Sequence, residues 1–377
     1  MFHNTISYLT ISDVHLGNKR NTTYDICRNL DKFFDNYTSK SKFIDLDIIF
    51  IGGDLFDKLL VFNSDDIYES ISFLYRLMRF CLNSKIKLRI LEGTPSHDWK
   101  QSKIANILKE HALEDLDYKY IDSLSIEFIQ DLGINVLYVP DEWTDSADET
   151  YQQVLVLLKD NNLEQVDIAM MHGLFNYQLK DMPNISIKHN ENNYLSIVKY
   201  FINIGHIHTF SFYDRILAQG SFDRIGHNEE ESKGGIVCNI FKDGDMNYNF
   251  IENKSAKIFK TIEFKTNDLE KNRKKLNKLL VGLPLDSYIR IKAKKDNPIY
   301  SSLEEIKLQY PEYNFTKKSI EDDKEEKTIL SYITEVYKPI TINKDNIETT
   351  LVNQITSKHE LKQIQLNLIK DIIEDTR

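Results

Sequence analysis

The sequence predicts an α/β domain, a sheet core under helices, followed by a smaller module and a helical tail. Three observations predict it. Short apolar runs alternate with segments of helical period through the first 250 residues. Several of those runs are apolar at every position, which suits strands buried on both faces. Near residue 255 the texture turns Lys-rich and polar.

Taken in order, Tyr8–Ile11 reads as the first strand, and Ile26, Leu30, Phe33, Phe34 and Tyr37 then recur at helical spacing. Ile48–Ile51 is the second strand. After it Asn63 or Ser64 can cap a helix with Asp65 and Asp66 in its first turn, and Ile67, Ile71, Leu74, Tyr75, Met78 and Cys81 lie on one face. Ile86–Leu91, Ile134–Val139, Val166–Met171 and Phe201–Ile204 complete the strand set. The aliphatic and aromatic stripes are core. Residues 256–330 read as a strand, a Lys-rich helix, a strand over Ser287–Ala293 and a polar stretch, with Glu321-Asp322-Asp323-Lys324-Glu325-Glu326-Lys327 as a solvated linker. Residues 331–377 hold two helical segments beyond Pro339. The last gathers Leu361, Ile364, Leu368, Ile369, Ile372 and Ile373 on one face, for its own domain or for a partner. The boundaries are thus 1–255, 256–330 and 331–377.

At 377 residues the chain fits two or three modest domains, and 41% hydrophobic with 28% charged residues excludes wholesale disorder. No apolar run approaches the roughly 18 residues of a membrane span, and the N-terminus lacks a basic flank leading into an apolar run, so neither membrane nor secretory signal is expected. Cys27, Cys81 and Cys238 lie far apart, without a C-x-x-C pair, which suits a reducing cytoplasm and excludes a disulfide framework. Net charge is −10, yet Lys254–Tyr300 carries 13 Lys or Arg against 5 Asp or Glu. An acidic chain with one such basic segment can still hold a polyanion there. Arg273, Lys274, Lys275 and Lys278 on the Lys-rich helix are the residues expected to track a DNA backbone without reading its sequence, the alternative being a solvated helix face.

The chemistry follows the strands. Of ten histidines, five stand where a predicted strand ends. Ile11-Ser12-Asp13-Val14-His15 closes the first, Gly52-Gly53-Asp54-Leu55-Phe56-Asp57 the second and Gly93-Thr94-Pro95-Ser96-His97-Asp98 the third. Met171-His172-Gly173 and Gly205-His206-Ile207-His208 close the fifth and sixth. Ligand crevices of α/β sheets lie at the carboxyl ends of strands, so these residues should converge. Within D-x-H and H-x-H, extended backbone would point both ligands the same way. Asp and His without Cys suit Mn²⁺, Fe²⁺ or Zn²⁺. Six ligands, Asp13, His15, Asp54, His172, His206 and His208, are too many for one ion with an open position. They fit two ions sharing a carboxylate, which can activate water for an in-line phosphoryl displacement. His97 is left to act as acid or phosphate clamp, with Asp98 orienting it. His3, His111, His189 and His359 lack such context, while His227, in Gly220-Ser221-Phe222-Asp223-Arg224-Ile225-Gly226-His227, is a candidate for a substrate loop.

This ordered set resembles the calcineurin-like metallophosphoesterase superfamily, and within it the SbcD-type nucleases, especially the phage-encoded subunits of the SbcC–SbcD kind. The resemblance covers residues 1–255 with five motifs, and the remainder more loosely. It implies a four-layer αββα sandwich, a small α+β capping domain over DNA, and C-terminal helices that grip an SMC-like ATPase. It also implies Asp13, His15 and His208 at a first metal, Asp54 bridging, His172 and His206 at a second, and His97 as catalytic histidine. The ions would be Mn²⁺, with Mg²⁺, Fe²⁺ or Zn²⁺ as alternatives. The implied activity is a 3′–5′ exonuclease on duplex ends and a single-strand endonuclease, in DNA repair, recombination and replication. The implied assembly is a nuclease homodimer within a heterotetramer, in a bacterial or phage-infected cytoplasm, with the Ile67–Leu82 helix a candidate for the dimer contact. No phosphate-loop motif is present, so ATP dependence would come from the partner.

One departure concerns the third motif. The family usually shows G-N-H-D, whose Asn ligates the second metal, whereas here Ser96 stands before His97 after a two-residue insertion. A hydroxyl is a poorer neutral ligand than an amide oxygen, so the second site should be weaker or take another water. Two other readings compete: a metallophosphatase or small-molecule phosphodiesterase on the same fold, and a non-catalytic scaffold. Protein phosphatases of the superfamily usually show G-N-H-E, and scaffolds lose several ligands. Asp98 and the otherwise complete ligand set favour the nuclease.

Overall fold

The computed structural model describes residues 5–39, 46–141, 146–179 and 188–321. The chain divides into a compact unit, Met1–Ile320, and a second, Glu321–Arg377. The linker beyond Glu321 and the C-terminal helices expected there lie outside the described residues, as do His3 and His359.

The first part of the chain runs β1 (Thr5–Ile11), α1 (Thr23–Ser39), β2 (Ile48–Gly52), α2 (Asp65–Ser84), β3 (Lys87–Leu91), α3 (Pro95–Asp98), α4 (Ile104–Ala112) and β4 (Tyr118–Ile121). It continues through β5 (Ser125–Ile129), β6 (Ile134–Val139), α5 (Ala147–Asp160), β7 (Ile168–His172), the short pair β8 (Leu174–Phe175) and β9 (Lys188–His189), and α6 (Glu191–Ile197). Then come β10 (Ile202–Gly205), β11 (Ser211–Tyr213), β12 (Ile216–Ala218), β13 (Gly234–Phe241) and β14 (Met246–Glu252). One sheet has the order β14-β13-β1-β2-β3-β4, the other β11-β12-β10-β7-β6-β5. In the first, β1 to β4 are parallel and β13 returns antiparallel beside β1. In the second, β6, β7, β10 and β12 are parallel.

The alternation of side chains along each strand sorts the apolar runs into three cores. Leu9, Ile11, Ile49, Ile51, Leu88 and Ile90 face α1 and α2, meeting Ile26, Leu30, Leu74 and Met78. Tyr8, Ile48 and Phe50 point the other way and meet Val136, Tyr138, Ile168 and Met170 from the second sheet. Leu137, Val139, Ala169, Met171, Ile202 and Ile204 leave that sheet on its far side, toward Val154 of α5 and Tyr194 and Ile197 of α6. The result is helix, sheet, sheet, helix: the four-layer α/β sandwich that was expected. Ser64 caps α2, its hydroxyl accepting the Ile67 amide at 3.4 Å. The apolar face of α2 is covered by the chain's own first sheet.

Beyond β14, a separate parallel sheet forms from β15 (Phe259–Glu263), β16 (Tyr288–Ala293) and β17 (Asn314–Ser319). The Lys-rich helix α7 (Leu269–Leu280) and the short α8 (Pro298–Ser301) and α9 (Leu303–Gln309) give it a core of its own. The polar stretch expected after Ala293 therefore holds two helices and a strand, whose apolar residues Ile299, Leu303, Ile306 and Phe315 go inward while Leu308 stays exposed. Seam contacts join this module to the sandwich: Arg224 donates to the Lys257 carbonyl at 3.1 Å, and Lys257 pairs with Asp25 at 3.2 Å. No helix among the described residues is long and apolar enough to cross a membrane.

Candidate metal centre

The parallel strands β1, β2, β3, β7 and β10 deliver their carboxyl ends to one place. The loop after β1 is zipped onto the loop after β2: the Asp13 amide donates to the Gly53 carbonyl at 3.1 Å, and Val14 and His15 both donate to the Asp54 carbonyl, at 2.8 and 3.1 Å. This pairing bends the backbone. Asp13, His15 and Asp54 sit at φ 51, 57 and 49, and His206 at φ 102. The extended D-x-H expected from the sequence is therefore replaced by a left-handed loop, a costly conformation for residues with a Cβ that persists where surrounding bonds over-determine it. Packing is equally close: a Cβ at Gly53 would lie 2.2 Å from His172 Nδ1, and one at Gly93 2.1 Å from the Asp54 amide nitrogen.

Three overlapping groups result, each with donor atoms mutually within 4.8 Å: Asp13, His15, His208; His15, Asp54, His97; and Asp54, His172, His206. Asp54 is central. Its Oδ1 lies 3.3 Å from His172 Nε2, and its Oδ2 2.7 Å from His97 Nδ1 and 3.9 Å from His15 Nε2. Burial works to raise the Asp54 carboxyl, but His172, His97 and His15 outweigh it and hold it far below the usual carboxylate range.

The outer nitrogens of His208 and His172 are hydrogen-bonded, and that of His15 faces a carboxylate without a hydrogen bond. His15 Nδ1 faces Asp57 Oδ1 at 3.3 Å, His208 Nδ1 faces Glu229 Oε1 at 2.9 Å, and His172 Nδ1 faces the Gly52 carbonyl at 2.7 Å. The hydrogen-bonded acceptors at His208 and His172 place a ring proton on Nδ1, so that Nε2 is the nitrogen either ring would offer to an ion. Yet His15 Nε2 and His208 Nε2 lie only 3.0 Å apart. Two ring nitrogens at that distance require a proton or a cation between them. The buried nitrogen–oxygen donor set thus fits metal ions on an observation of its own.

Glu229 and Asp57 are the orienting carboxylates of this centre. Burial would raise Glu229, but His208 and Lys233 bring it down to about 2, so it stays ionised. Asp57 belonged to a motif already noted. Glu229 sits in an acidic run, Glu229-Glu230-Glu231, that reads as a solvated loop, and no sequence signal separates it from its neighbours.

The third motif departs from expectation twice. Ser96 is exposed, and its carbonyl accepts the Trp99 indole at 2.8 Å. The hydroxyl at the centre is that of Thr94, whose Oγ1 lies 3.3 Å from Asp54 Oδ2, 3.5 Å from His172 Nε2 and 3.3 Å from His206 Nδ1. The extra residues enter after Thr94, as Pro95 and Ser96 of the single-turn helix α3. Asp98 does not orient His97 either. Fully buried, it accepts the amides of Gly93, Phe56 and Asp54 at 2.7, 2.9 and 3.1 Å, pinning the second and third loops together. His97 is oriented by Asp54 and remains 37% exposed. That hydrogen bond raises its imidazole above the ordinary value.

Asp141, just past β6, was missed altogether. Its Oδ2 lies 3.2 Å from Thr94 Oγ1 and 3.7 Å from His206 Nδ1.

The basic helix belongs to the module beyond β14, and its four named residues are not alike. Arg273 is ion-paired with Glu305 at 2.5 Å, and Lys275 donates to the Glu263 carbonyl at 2.7 Å while lying over the Phe264 ring. Lys274 and Lys278 are exposed. His227 is buried at the seam, edge-on to Phe259 and 3.5 Å from Thr316 Oγ1. Burial, with Arg290 and Arg20 nearby, lowers it to about 4. His189 is buried beside Phe175 and Tyr194, and His111 is exposed.

No protein-family profile matches the chain, and no curated protein matches it. Among solved structures it is similar to TT1561 of Thermus thermophilus, at 9% identity and TM-score 0.38 over 65% of this chain and 99% of that one. It is also similar to GAP50, the anchor in the inner membrane complex of Plasmodium, at 12% identity and TM-score 0.38 over 67% and 86%. Neither likeness extends the chemistry carried by the side chains above.

Proposed function

We infer that this chain is a metal-dependent phosphoesterase, and within that class a Mn²⁺-dependent DNA nuclease of the SbcD type. The observation that carries the first part is Asp54, a buried carboxylate whose two oxygens face two different groups of donors. Asp13, His15 and His208 would hold one ion, His172 and His206 the other, with Asp54 shared. When bound, such a pair lowers the pKa of a water and neutralises charge on a phosphoryl group. The chain supplies the rest. Glu229 and the Gly52 carbonyl keep the His208 and His172 imidazoles in the tautomer that turns Nε2 inward. His97 gives Nδ1–H to Asp54, so Nε2 of its half-exposed ring is the nitrogen that can protonate the departing alkoxide oxygen as the P–O bond breaks.

The nuclease assignment is supported by the S-H-D form of the third motif and by a small module, with a core of its own, attached to the sandwich. A phosphatase or small-molecule phosphodiesterase on this fold remains the second reading, favoured by the internal engagement of Arg273 and Lys275. The SMC-like ATPase partner is proposed for the C-terminal helices, and truncation after Pro339 should abolish its co-purification while sparing cleavage.

The deciding assay gives purified protein Mn²⁺ with labelled duplex, labelled single strand, a para-nitrophenyl phosphodiester and the corresponding monoester. Strong DNA cleavage beside weak monoester hydrolysis is expected; the reverse ranking would establish the phosphatase. Asp54→Ala should lose bound Mn²⁺ and hydrolysis together, because among the described residues no other carboxylate belongs to both donor groups. Metal-free, inactive wild-type protein would leave only a scaffold.

A further inference from the structure

A lysine is almost never fully buried unless its charge is paired, and among the described residues Lys233 is the one that is. Its side chain is 1% exposed and stands just ahead of β13. Nζ donates to the His208 carbonyl at 2.8 Å and to Glu231 Oε1 at 2.7 Å, and it faces Glu229 Oε2 at 3.3 Å. The other oxygen of Glu229, Oε1, takes the proton of His208 Nδ1 at 2.9 Å. One ammonium thus holds His208 twice, by its backbone directly and by its ring through Glu229.

His208 needs such a hold more than its fellow ligands do. Asp13 and His15 are zipped onto the loop after β2, and His172 is the last residue of β7. His208 lies three residues past the end of β10, outside any strand, and its side chain is 25% exposed. Its carbonyl accepts the Ser221 amide at 3.1 Å as well as the lysine. Lys233 is itself anchored from behind. Its carbonyl accepts the Asn253 amide at 2.7 Å, and a Cβ on the next residue, Gly234, would lie 1.9 Å from the Ile251 carbonyl oxygen. The ammonium is therefore fixed to the edge of the first sheet and reaches a ligand that follows a strand of the second. It also lets Glu229 and Glu231 stand close together beside one imidazole, which two unpaired carboxylates would resist.

We propose that Lys233 is a positioning residue for the first metal ion, fixing the His208 ring with Nε2 turned inward. The inference rests on the two-metal reading above and extends it to a residue that touches no ion.

The test combines equilibrium dialysis of the full chain against Mn²⁺ with nitrogen NMR of histidine-labelled, metal-free protein in alkaline solution, where the rings are neutral. Wild type should bind two ions. Lys233→Met should weaken one of them about 10–100-fold, the range for a lost orienting partner, and leave the other unchanged. In a His208→Ala background, where that ligand is already gone, the same substitution should cost nothing further. The His208 ring should report Nδ1–H alone in wild type and a mixture of tautomers in Lys233→Met, a change that looser packing elsewhere would not produce. A folded Lys233→Met with wild-type ion affinities or wild-type ring signals would overturn the proposal while leaving the two-metal reading intact. An equal loss in the His208→Ala background would do the same. Wild type binding no Mn²⁺ would overturn that reading and this proposal together. Lys233→Met leaves two carboxylates without their counter-ion. If circular dichroism shows it unfolded, Lys233→Gln with Glu231→Gln, which removes an opposite pair of charges, goes through the same cycle and decides.

Discussion

His97 hydrogen-bonds to Asp54 and packs edge-on against His15, and a measurement separates proton donor from ligand. As a proton donor it should be dispensable for metal: His97→Ala is expected to retain both Mn²⁺ ions while turnover of a phosphodiester falls about 10²–10⁴-fold. Loss of an ion in dialysis would make it a ligand instead, as its membership of the His15, Asp54, His97 group allows. A second histidine reports on stability. His189 is enclosed by Phe175 and Tyr194, and burial lowers its imidazole to about 4. Its unfolded value is near 6.5, so between pH 6.5 and 4 the unfolded chain binds the extra proton. The neutral-state advantage is complete above 6.5 and drains away as pH falls to 4, at most about 3 kcal/mol. Urea unfolding of His189→Gln should show a correspondingly shallower loss over that window, and an unchanged slope would contradict it. Asp13, His15, Asp54, His172, His206 and His208 were legible because each follows an apolar run that could only be a strand. Glu229 and Asp141 were not, since a carboxylate that orients a ligand looks, in a single sequence, like any solvated one. Thr94 was missed for a different reason. Counting back from His97 lands on Ser96, whereas the fold counts forward from Gly93.

Arg273, Lys274, Lys275 and Lys278 of the Lys-rich helix α7 were expected to act together, but they divide by partner. Arg273 and Lys275 are held by Glu305 and by the Glu263 carbonyl, so substituting them disturbs the module before it disturbs any ligand. Lys274, Lys275 and Lys278 are all exposed, but the Lys275 amine is tied to the Glu263 carbonyl, which leaves Lys274 and Lys278 as the pair to test. If that face follows a phosphate backbone, Lys274→Gln with Lys278→Gln should weaken binding to all duplexes alike. It should also reduce the slope of log K against log salt by up to about 1.8, since each contact contributes roughly 0.9. An unchanged slope makes it a solvated face. The same contrast explains which elements were legible. β1, β2, β3, β6, β7 and β10 are interior strands with both faces covered, and continuous apolar sequence follows from that. β14 and β17 are edge strands with largely exposed side chains, Met246-Asn247-Tyr248-Asn249 and Thr316-Lys317 among them. A polar edge is good protection against stray pairing and a poor signal of a strand.

At the scale of the whole molecule, two of the three donor groups join the two sheets: Asp13, His15 and Asp54 follow strands of one, and His172, His206 and His208 strands of the other. A bound cation would therefore cross-link the layers, and each ion at 100 times its dissociation constant adds about 2.7 kcal/mol to unfolding. The connectivity of the first sheet acts earlier in the protein's life. β1 lies between β2 and β13, and its partner residues Thr5 and Phe241 are separated by almost two-thirds of the chain. While the ribosome makes the intervening segment, roughly 10–50 s at 5–20 residues per second, the open flank of β1 presents unpaired amides and carbonyls. All six candidate ligands have been synthesised before that flank can close. Ribosome-stalled chains in which β13 has not emerged are expected to be protease-sensitive and to recruit chaperones. Chains in which β14 has emerged should resist digestion, and resistance before β13 would show that the N-terminal half closes without it. The nascent protein is thus most vulnerable to mispairing with a neighbouring copy on the same messenger while its catalytic side chains already exist but its first strand is still an edge.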